Sequence, residues 1–221
     1  MPSKEETERH FLVDINQTSK TRDLILIEAA ILFAKAGYAA VTMRDIAERV
    51  NIKAASIYKH FKNKEDVWNA VLKNIQGIYL LYYDRLARSI AGASSFAEVL
   101  ERMFTELKEV VHIFTYYGGS LVQTEQFRDP RAYEVYRLIF NTGCESIEKH
   151  FRECIEKGWV GAFDTETVAT FFMSSVFVGI TARVHEDMLH ETPYSVTTMF
   201  ESLQRFILSA TDSREVFAGA E

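Results

Sequence analysis

Apolar residues recur at spacings of three and four along most of the chain, and no segment shows the alternation of a half-buried β-strand. Proline occurs only at positions 2, 130 and 193, so no proline ring interrupts a helix between residues 3 and 129. The first predicted helix, residues 19–37, has one apolar face made of Ile25, Ala29, Leu32, Phe33 and Ala36. The pattern predicts an all-α protein.

Residues that favour helix ends divide the chain into nine predicted helices. Thr42 and Asp45 have the spacing of a capping box at the start of a short second helix, and Asn63 can cap a long fourth helix. Asn51, between the second and third helices, tolerates a positive φ in a turn. The predicted helices are residues 19–37, 43–50, 54–60, 64–90, 95–117, 120–127, 130–157, 165–190 and 195–209.

The second and third predicted helices have the size and order of a helix-turn-helix, because about three residues join them and a longer helix precedes them. In such a unit the second short helix enters the major groove of DNA. Its expected inward side chains are Ile52, Ile57 and Phe61. Its expected exposed side chains combine phosphate donors with small residues able to approach base edges, and they are Lys53, Ala54, Ala55, Ser56, Tyr58, Lys59 and His60.

Charge is distributed unevenly along the chain. The whole sequence has a net charge of −6, yet residues 20–64 contain nine basic and four acidic residues and carry +5, so the remainder carries −11. This polarity suits a protein that turns one end toward phosphates. Taken one at a time, the lysines of that end are also explained as an ordinary solvated surface.

Residues 25–67 carry a set of positions that resembles the DNA-binding domain of the TetR family of bacterial repressors. The matching residues are Ile25-Leu26, Ala29, Leu32-Phe33, Gly37-Tyr38, Val41-Thr42, Ile46-Ala47, Val50, Ile52, Ser56-Ile57-Tyr58-Lys59-His60-Phe61 and Asn63-Lys64-Glu65. The junction from Tyr58 to Glu65 is the most specific part, because many helical proteins share only the apolar spacing.

The resemblance implies roles for individual residues of this domain. Residues that match the family's phosphate-binding positions are Thr42, Tyr58, His60 and Lys64. Those at or near the bases are Lys53, Ala55, Ser56 and Lys59, and Arg44 completes the predicted DNA-binding set. The turn Val50-Asn51-Ile52 and the residues Lys53 and Ala55 depart from the usual family pattern, so relatives do not predict the operator sequence.

Pattern and resemblance together predict three regions: a leader (1–18), a helix-turn-helix domain (19–66) and a helical ligand-binding and dimerisation domain (67–221). The leader contains the apolar run 11–15, which either docks on the folded body or belongs to a partly disordered tail. We expect a cytoplasmic homodimeric repressor that binds a pseudo-palindromic double-stranded DNA operator and is released by a small-molecule effector. The alternatives are a ligand-dependent activator and a helical protein-interaction module with a vestigial DNA-binding head.

Aromatic residues are dense in the C-terminal region, and a cavity between such helices is expected to be apolar with a few polar groups. This composition favours a hydrophobic or aromatic effector. The predicted lining is Tyr83, Met103, Leu107, Phe114, Gln123, Phe127, Tyr136, Phe140, Asn141 and Phe172.

The helix predicted at 165–190 is apolar almost all round in its middle, which favours burial on two sides. Paired with the helix at 195–209, it predicts half of a four-helix bundle across a two-fold axis. The residues assigned to this dimer interface are Phe171, Val176, Ile180, Val184, Met199, Leu203 and Phe206. The alternative is burial of this helix entirely within its own chain.

The sequence contains no evident motif for catalysis, metal binding or membrane insertion. His185 and His190 are five residues apart rather than the four of a zinc-protease motif, and the pair His150 and Cys154 has no evident third ligand. Cys144 and Cys154 do not form a C-x-x-C pair. No stretch offers about 18 uninterrupted apolar residues. We therefore expect no enzyme activity, no cofactor, no metal and no membrane span.

Overall fold

The computed structural model describes the backbone of residues 20–189 and 196–212, and the side chains in these ranges except those of residues 20, 109–117, 183–189, 196 and 212. Within these ranges the chain is helical and contains no strand. The prediction of an all-α fold is therefore confirmed. The leader predicted at residues 1–18 lies outside the described residues.

The described helices follow the predicted order. They are α1 (Lys20–Ala36), α2 (Met43–Arg49), α3 (Ala54–Ile57), α4 (Lys64–Ile90), α5 (Phe96–Tyr117), α6 (Gly119–Glu125), α7 (Pro130–Glu156), α8 (Thr165–Leu189) and α9 (Val196–Asp212). Helix α3 ends three residues before its predicted end, because residues 58–60 form a tighter turn in which the Lys59 N–H donates to Ser56 O at 3.1 Å. Helix α9 continues beyond the predicted residue 209, since no glycine or proline stops it there.

Two backbone positions with positive φ shape the N-terminal helices. Gly37, directly after α1, has a φ of 80°, and Asn51, two residues after the end of α2, has a φ of 59°. A glycine at the first position carries no Cβ penalty, and asparagine is among the few other residue types that adopt this conformation readily. Both helices therefore end where the sequence predicts, and the positive φ expected at Asn51 is confirmed.

The described chain forms two compact units. Among the described residues, the first unit contains 20–81 and 113–138, and the second contains 82–112, 139–189 and 196–212. Helices α4, α5 and α7 each contribute residues to both units. The boundary predicted after residue 66 divides the chain differently, since α6 and the first turns of α7 group with the N-terminal helices.

The first unit is built on an apolar core shared by the short N-terminal helices. Helix α1 contacts α2 and α6, and α2 contacts α3. Ile25, Ile46 and Ile57, one from each of the first three helices, are fully buried at 0 % exposure. Burial of each such side chain contributes about 1.5–3 kcal/mol, so packing rather than length keeps the four-residue α3 helical.

The second unit has a core rich in phenylalanine. The Phe104 ring lies 5.1 Å from Phe172 and 6.1 Å from Phe200, which joins α5 to α8 and α9. Helix α8 is not covered all round by its own chain. Its side chains at Thr167, Phe171, Ser174 and Val178 are exposed at spacings of four, three and four residues, and so form one stripe along the helix.

Helix α8 is the one helix among the described residues that is long and apolar enough to cross a membrane. Its window Thr165–Ala182 has a mean hydropathy of 1.3 and is long enough to cross a membrane. Half of this window is buried inside the structure, as expected for the core helix of a folded protein.

Replacing Gly143 in α7 by alanine is expected to destabilise the second unit. An added Cβ would lie 2.6 Å from the hydroxyl oxygen of Tyr83, which is held in place by donating to Ile139 O at 2.7 Å. Overpacking of this kind costs about 1–3 kcal/mol. Urea denaturation of the full chain should show a lower midpoint for Gly143→Ala, whereas Gly161→Ala, where an added Cβ meets no atom within 4 Å, should not. Equal midpoints for both variants would contradict this packing.

Candidate nucleic-acid interface

The start of α2 is closed by a reciprocal pair of hydrogen bonds. The Asp45 N–H donates to Thr42 Oγ at 3.2 Å, and the Thr42 N–H donates to Asp45 Oδ2 at 2.8 Å. The hydroxyl and the backbone N–H of Thr42 both donate to the Asp45 carboxylate, and these two hydrogen bonds hold the pKa of that carboxyl below its usual value. The predicted capping box is confirmed. The Thr42 hydroxyl also donates to Asp45 at 2.8 Å, so its contact with phosphate, which stays a prediction, would compete with this carboxylate.

The turn between α2 and α3 is set by its backbone. The Ile52 N–H donates to Ala47 O at 2.9 Å, and Asn51 takes the left-handed conformation that this reversal requires. Lys53 is extended, with a φ of −64° and a ψ of 140°, and leads directly into α3. The turn therefore presents the first residues of α3 to solvent.

The segment around α3 has a buried and an exposed side, and the prediction is confirmed except at Ile52, Ser56 and His60, which are half-buried. Ile57 and Phe61 are 0 % and 1 % exposed and face the core of the first unit. On the other side, Lys53, Ala54, Ala55, Tyr58 and Lys59 are exposed, and Ser56 and His60 are half-buried. The predicted base-reading and phosphate-binding residues in and next to α3 are therefore all at least partly exposed within eight residues of the chain. We call them the α3 surface: Lys53, Ala55, Ser56, Tyr58, Lys59 and His60.

The basic residues in this part of the chain are of two kinds: some form an ion pair with a carboxylate, and others do not. Arg49 Nε lies 2.7 Å from Glu28 Oε2, and Arg44 Nε lies 2.9 Å from Glu48 Oε1. Among the described residues, no carboxylate pairs with Lys53, Lys59 or Lys62. The α3 surface therefore presents cations whose charge is not compensated locally, which is the arrangement that attracts phosphates.

The contacts of Lys64 differ from the phosphate contact predicted from the sequence. Its Nζ donates to the carbonyl oxygens of Tyr38 (2.9 Å), Ala39 (3.2 Å) and Val41 (2.9 Å), and it lies 4.4 Å from the centre of the Tyr38 ring. These three bonds use all the protons of an ammonium group. Lys64 therefore holds the segment between α1 and α2 in place, and its contact with phosphate stays a prediction.

A second set of contacts, which the sequence did not predict, fixes the first turns of α4 to the start of α7 and the turn after α1 to α6 within the first unit. The Trp68 indole N–H donates to Asp129 at 2.8 Å, and the Tyr38 N–H donates to Glu125 at 3.3 Å. Arg131 bridges Glu65 at 3.0 Å and Asp129 at 2.8 Å. Hydrogen bonds from Arg131 lower the pKa of Asp129 to about 2, so this carboxylate is ionised at neutral pH. No local motif marks these partners, because 61 residues separate Trp68 from Asp129.

The residues predicted to line an effector site fall in both compact units. In the second unit, Tyr83, Met103, Leu107 and Phe172 are buried, Phe140 is half-buried and Asn141 is exposed. In the first unit, Gln123 and Tyr136 are half-buried, Phe127 is 85 % exposed, and the side chain of Phe114 lies outside the described residues. The role of each as a ligand contact stays a prediction.

The residues assigned to the dimer interface also differ in their exposure. Val176 and Ile180 are 6 % and 0 % exposed, so their side chains pack against their own chain and are not available to a second copy. Phe171 and Phe206 are 61 % and 54 % exposed, and Met199 and Leu203 are half-buried. The side chain of Val184 lies outside the described residues. Val178, at 44 % exposure, belongs to the same stripe as Phe171 and was missed because apolar composition alone does not distinguish the two faces of α8.

Metal binding finds no support among the described residues. No group of three or more histidine, cysteine, aspartate or glutamate side chains in that part of the chain is placed to hold an ion. His150 and Cys154, four residues apart on α7, are both buried.

Comparison with known proteins identifies the N-terminal domain. Residues 25–71 match the model of the family described as bacterial regulatory proteins, tetR family. The chain is 37 % identical over 68 residues to IcaR, the negative transcriptional regulator of the biofilm operon icaADBC in Staphylococcus epidermidis, a match that covers 31 % of this chain and 35 % of IcaR. The chain therefore aligns with only about a third of that regulator's length.

Two further similarities extend over most of the chain. The transcriptional repressor KstR2 of Rhodococcus jostii is 26 % identical over 178 residues, which cover 79 % of this chain and 78 % of KstR2. The crystal structure of the transcriptional regulator FadR from Bacillus subtilis in complex with stearoyl-CoA superimposes with a TM-score of 0.63 at 17 % identity, over 84 % of this chain and 97 % of FadR. The second similarity establishes the fold.

Replacing Lys64 by methionine should destabilise the protein, although Lys64 lies in the basic N-terminal region. Losing hydrogen bonds from a charged donor costs about 1.5–3 kcal/mol. The matched control is Lys62→Met, two residues earlier, whose exposed side chain has no ion pair among the described residues and should change stability by less than about 0.5 kcal/mol. Urea denaturation measures both. If Lys64→Met were as stable as Lys62→Met, the structural role of the ammonium group would be ruled out.

Proposed function

Because the chain belongs to the TetR family of bacterial regulatory proteins, we propose that it is a cytoplasmic transcriptional repressor that binds a pseudo-palindromic DNA operator as a homodimer. The observation that carries this proposal is the α3 surface. It combines lysines that form no ion pair within the described part of the chain, a tyrosine hydroxyl and small side chains on an element whose opposite side is buried. Such a surface fits the major groove of double-stranded DNA.

Each residue of the α3 surface has a proposed part in DNA binding. Tyr58 and His60 donate to phosphates, and Lys59 lies where it can reach either a phosphate or a base. Lys53, Ala55 and Ser56, at the start of α3, read base edges and thymine methyl groups. The exposure of Lys53, Ala55 and Tyr58 supports this assignment.

A small hydrophobic or aromatic effector is proposed to release the repressor from DNA. The phenylalanine-rich core of the second unit supports an apolar ligand, and the structurally similar FadR was crystallised with stearoyl-CoA. Helix α4 provides a route for the response, because it begins at the DNA-binding helices and its later turns belong to the second unit. The effector must bind one placement of α4 more tightly than the other, since a ligand with equal affinity for both shifts nothing.

The contacts of α6 and α7 with the N-terminal helices support this route. Glu125 holds the backbone after α1, and Asp129 and Arg131 hold the first turns of α4. A displacement of α6 would therefore strain hydrogen bonds that position α1 and α4. The direction of control, repression relieved by ligand, follows the repressors to which the chain is similar.

Dimerisation is proposed to use the exposed stripe of α8 together with α9. Phe171 and Val178 on α8 and Phe206 on α9 are large apolar side chains that the chain itself leaves more than 40 % exposed. The intervening Ser174 is small and permits close approach of a second helix. Two copies related by a two-fold axis would bury these faces in a four-helix bundle.

DNA binding is tested by measuring the affinity of the full chain for DNA from its own promoter region at several salt concentrations, with competitor DNA present. Lys59→Gln should weaken binding and reduce the slope of log affinity against log salt by about two per dimer, one phosphate contact from each chain. Tyr58→Phe should weaken binding by roughly tenfold, because it removes only the hydroxyl donor.

Lys73→Gln is the control for these variants, since this exposed lysine lies on α4 outside the predicted set. It should leave both affinity and salt slope unchanged. If the wild-type protein showed no selectivity for its promoter at any salt concentration, the proposed repressor function would fail, and a protein-interaction module would become the better explanation.

The dimer interface is tested by introducing charge into the exposed apolar face. Phe206→Glu should shift the protein toward a monomer in sedimentation equilibrium, because the interface would have to bury an unpaired carboxylate. Phe127→Glu is a matched control: the same change at a phenylalanine of the first unit that is 85 % exposed. A dimer that is equally stable in both variants would argue against this interface.

A further inference from the structure

A cavity of about 240 Å³ lies within the second compact unit, where α4 and α7 end. One side is apolar and consists of Ala87, Ile90 and Ala91 at the end of α4 and Val99 on α5. The other side consists of the last turns of α7 and Trp159, which follows it. None of the ten residues predicted to line the effector site borders this cavity.

The aromatic and sulfur groups of the cavity add to its apolar surface. The backbone N–H of Trp159 donates to Cys154 O at 3.0 Å, and Gly158 before it has a φ of 68°. The chain therefore turns back against the end of α7. Burial raises the pKa of the Cys154 thiol, which therefore stays neutral. A neutral buried thiol behaves as a small apolar group rather than as a nucleophile.

The polar groups of the cavity leave one positive charge uncompensated. The Glu153 carboxylate lies near two polar groups of the cavity, 3.9 Å from Lys149 Nζ and 3.4 Å from His150 Nδ1. Lys157 Nζ lies 4.4 Å from the centre of the Trp159 ring, and among the described residues no carboxylate forms an ion pair with it. The side chain of His150 is only 9 % exposed, and its Nε2 has no partner in the described part of the chain.

We propose that this cavity binds a small organic anion with an apolar body, such as an aromatic or short aliphatic monocarboxylate. The carboxylate pairs with Lys157, and His150 supplies a second polar contact. The apolar body lies against Ile90, Val99 and Trp159. A cationic ligand is disfavoured because the Lys157 ammonium already covers the Trp159 ring. A volume just below the roughly 300–1,000 Å³ of typical ligand pockets favours a small ligand.

This site is independent of the proposed DNA-binding function, and its test uses no DNA. The two tryptophans, Trp68 and Trp159, give separate indole signals in a ¹H–¹⁵N spectrum of the full chain. Trp68 is fully buried in the first unit and serves as an internal control. The probes are phenylacetate and its uncharged analogue phenylacetamide. Phenylacetate should move the Trp159 signal saturably and leave the Trp68 signal unchanged, and phenylacetamide should bind more weakly.

Two variants test the proposed contacts. Lys157→Gln should weaken phenylacetate binding by about two- to fivefold, as expected for one partly exposed ion pair, while Lys108→Gln, an exposed lysine elsewhere in this unit, should not. Ala91→Leu should abolish the Trp159 shift by filling the cavity. The proposal is overturned if millimolar phenylacetate leaves Trp159 unmoved, if phenylacetamide binds as tightly, or if Lys157→Gln binds phenylacetate like the wild type.

Discussion

The arrangement of the N-terminal helices depends on the ammonium group of Lys64. The last carbonyls of a helix and of the segment that follows it need donors, and three of them after α1 receive theirs from the first residue of α4. The same side chain lies against the Tyr38 ring, which packs 4.9 Å from Trp68 one turn further along α4. One contact therefore sets the end of α1, the start of α4 and the position of α2 between them.

The tryptophan next to this contact extends the constraint to α6 and α7. Trp68 is fully buried, with its ring 5.5 Å from Phe33, and its single polar atom donates to Asp129. A buried indole N–H without an acceptor would be costly, so the position of Asp129 is tied to that of α4. Arg131 keeps this carboxylate ionised and connects it to Glu65. The DNA-binding helices are thus held from two sides by directional bonds.

Basic residues consequently serve two different purposes in this protein. Lys64, Arg49 and Arg131 have their charge satisfied by carbonyls or carboxylates and maintain the fold of the first unit. Lys53 and Lys59 remain unpaired among the described residues and define the surface proposed for DNA. Fewer cations are therefore available to bind phosphate than the net positive charge of the N-terminal region suggests. The sequence does not show which of them are paired, because ion pairing depends on position in space.

The sequence by itself determined the elements and their ends. Helical periodicity, the Thr42 capping box and Asn51 act through neighbours a few residues away, so each could be recognised without the fold. The division of α3 into buried and exposed sides followed from the same local pattern. Only the tertiary structure decided the role of Lys64, the partners of Trp68 and which side of α8 is exposed. These depend on residues far apart in the chain, and neither side-chain type nor spacing specifies which distant groups will meet.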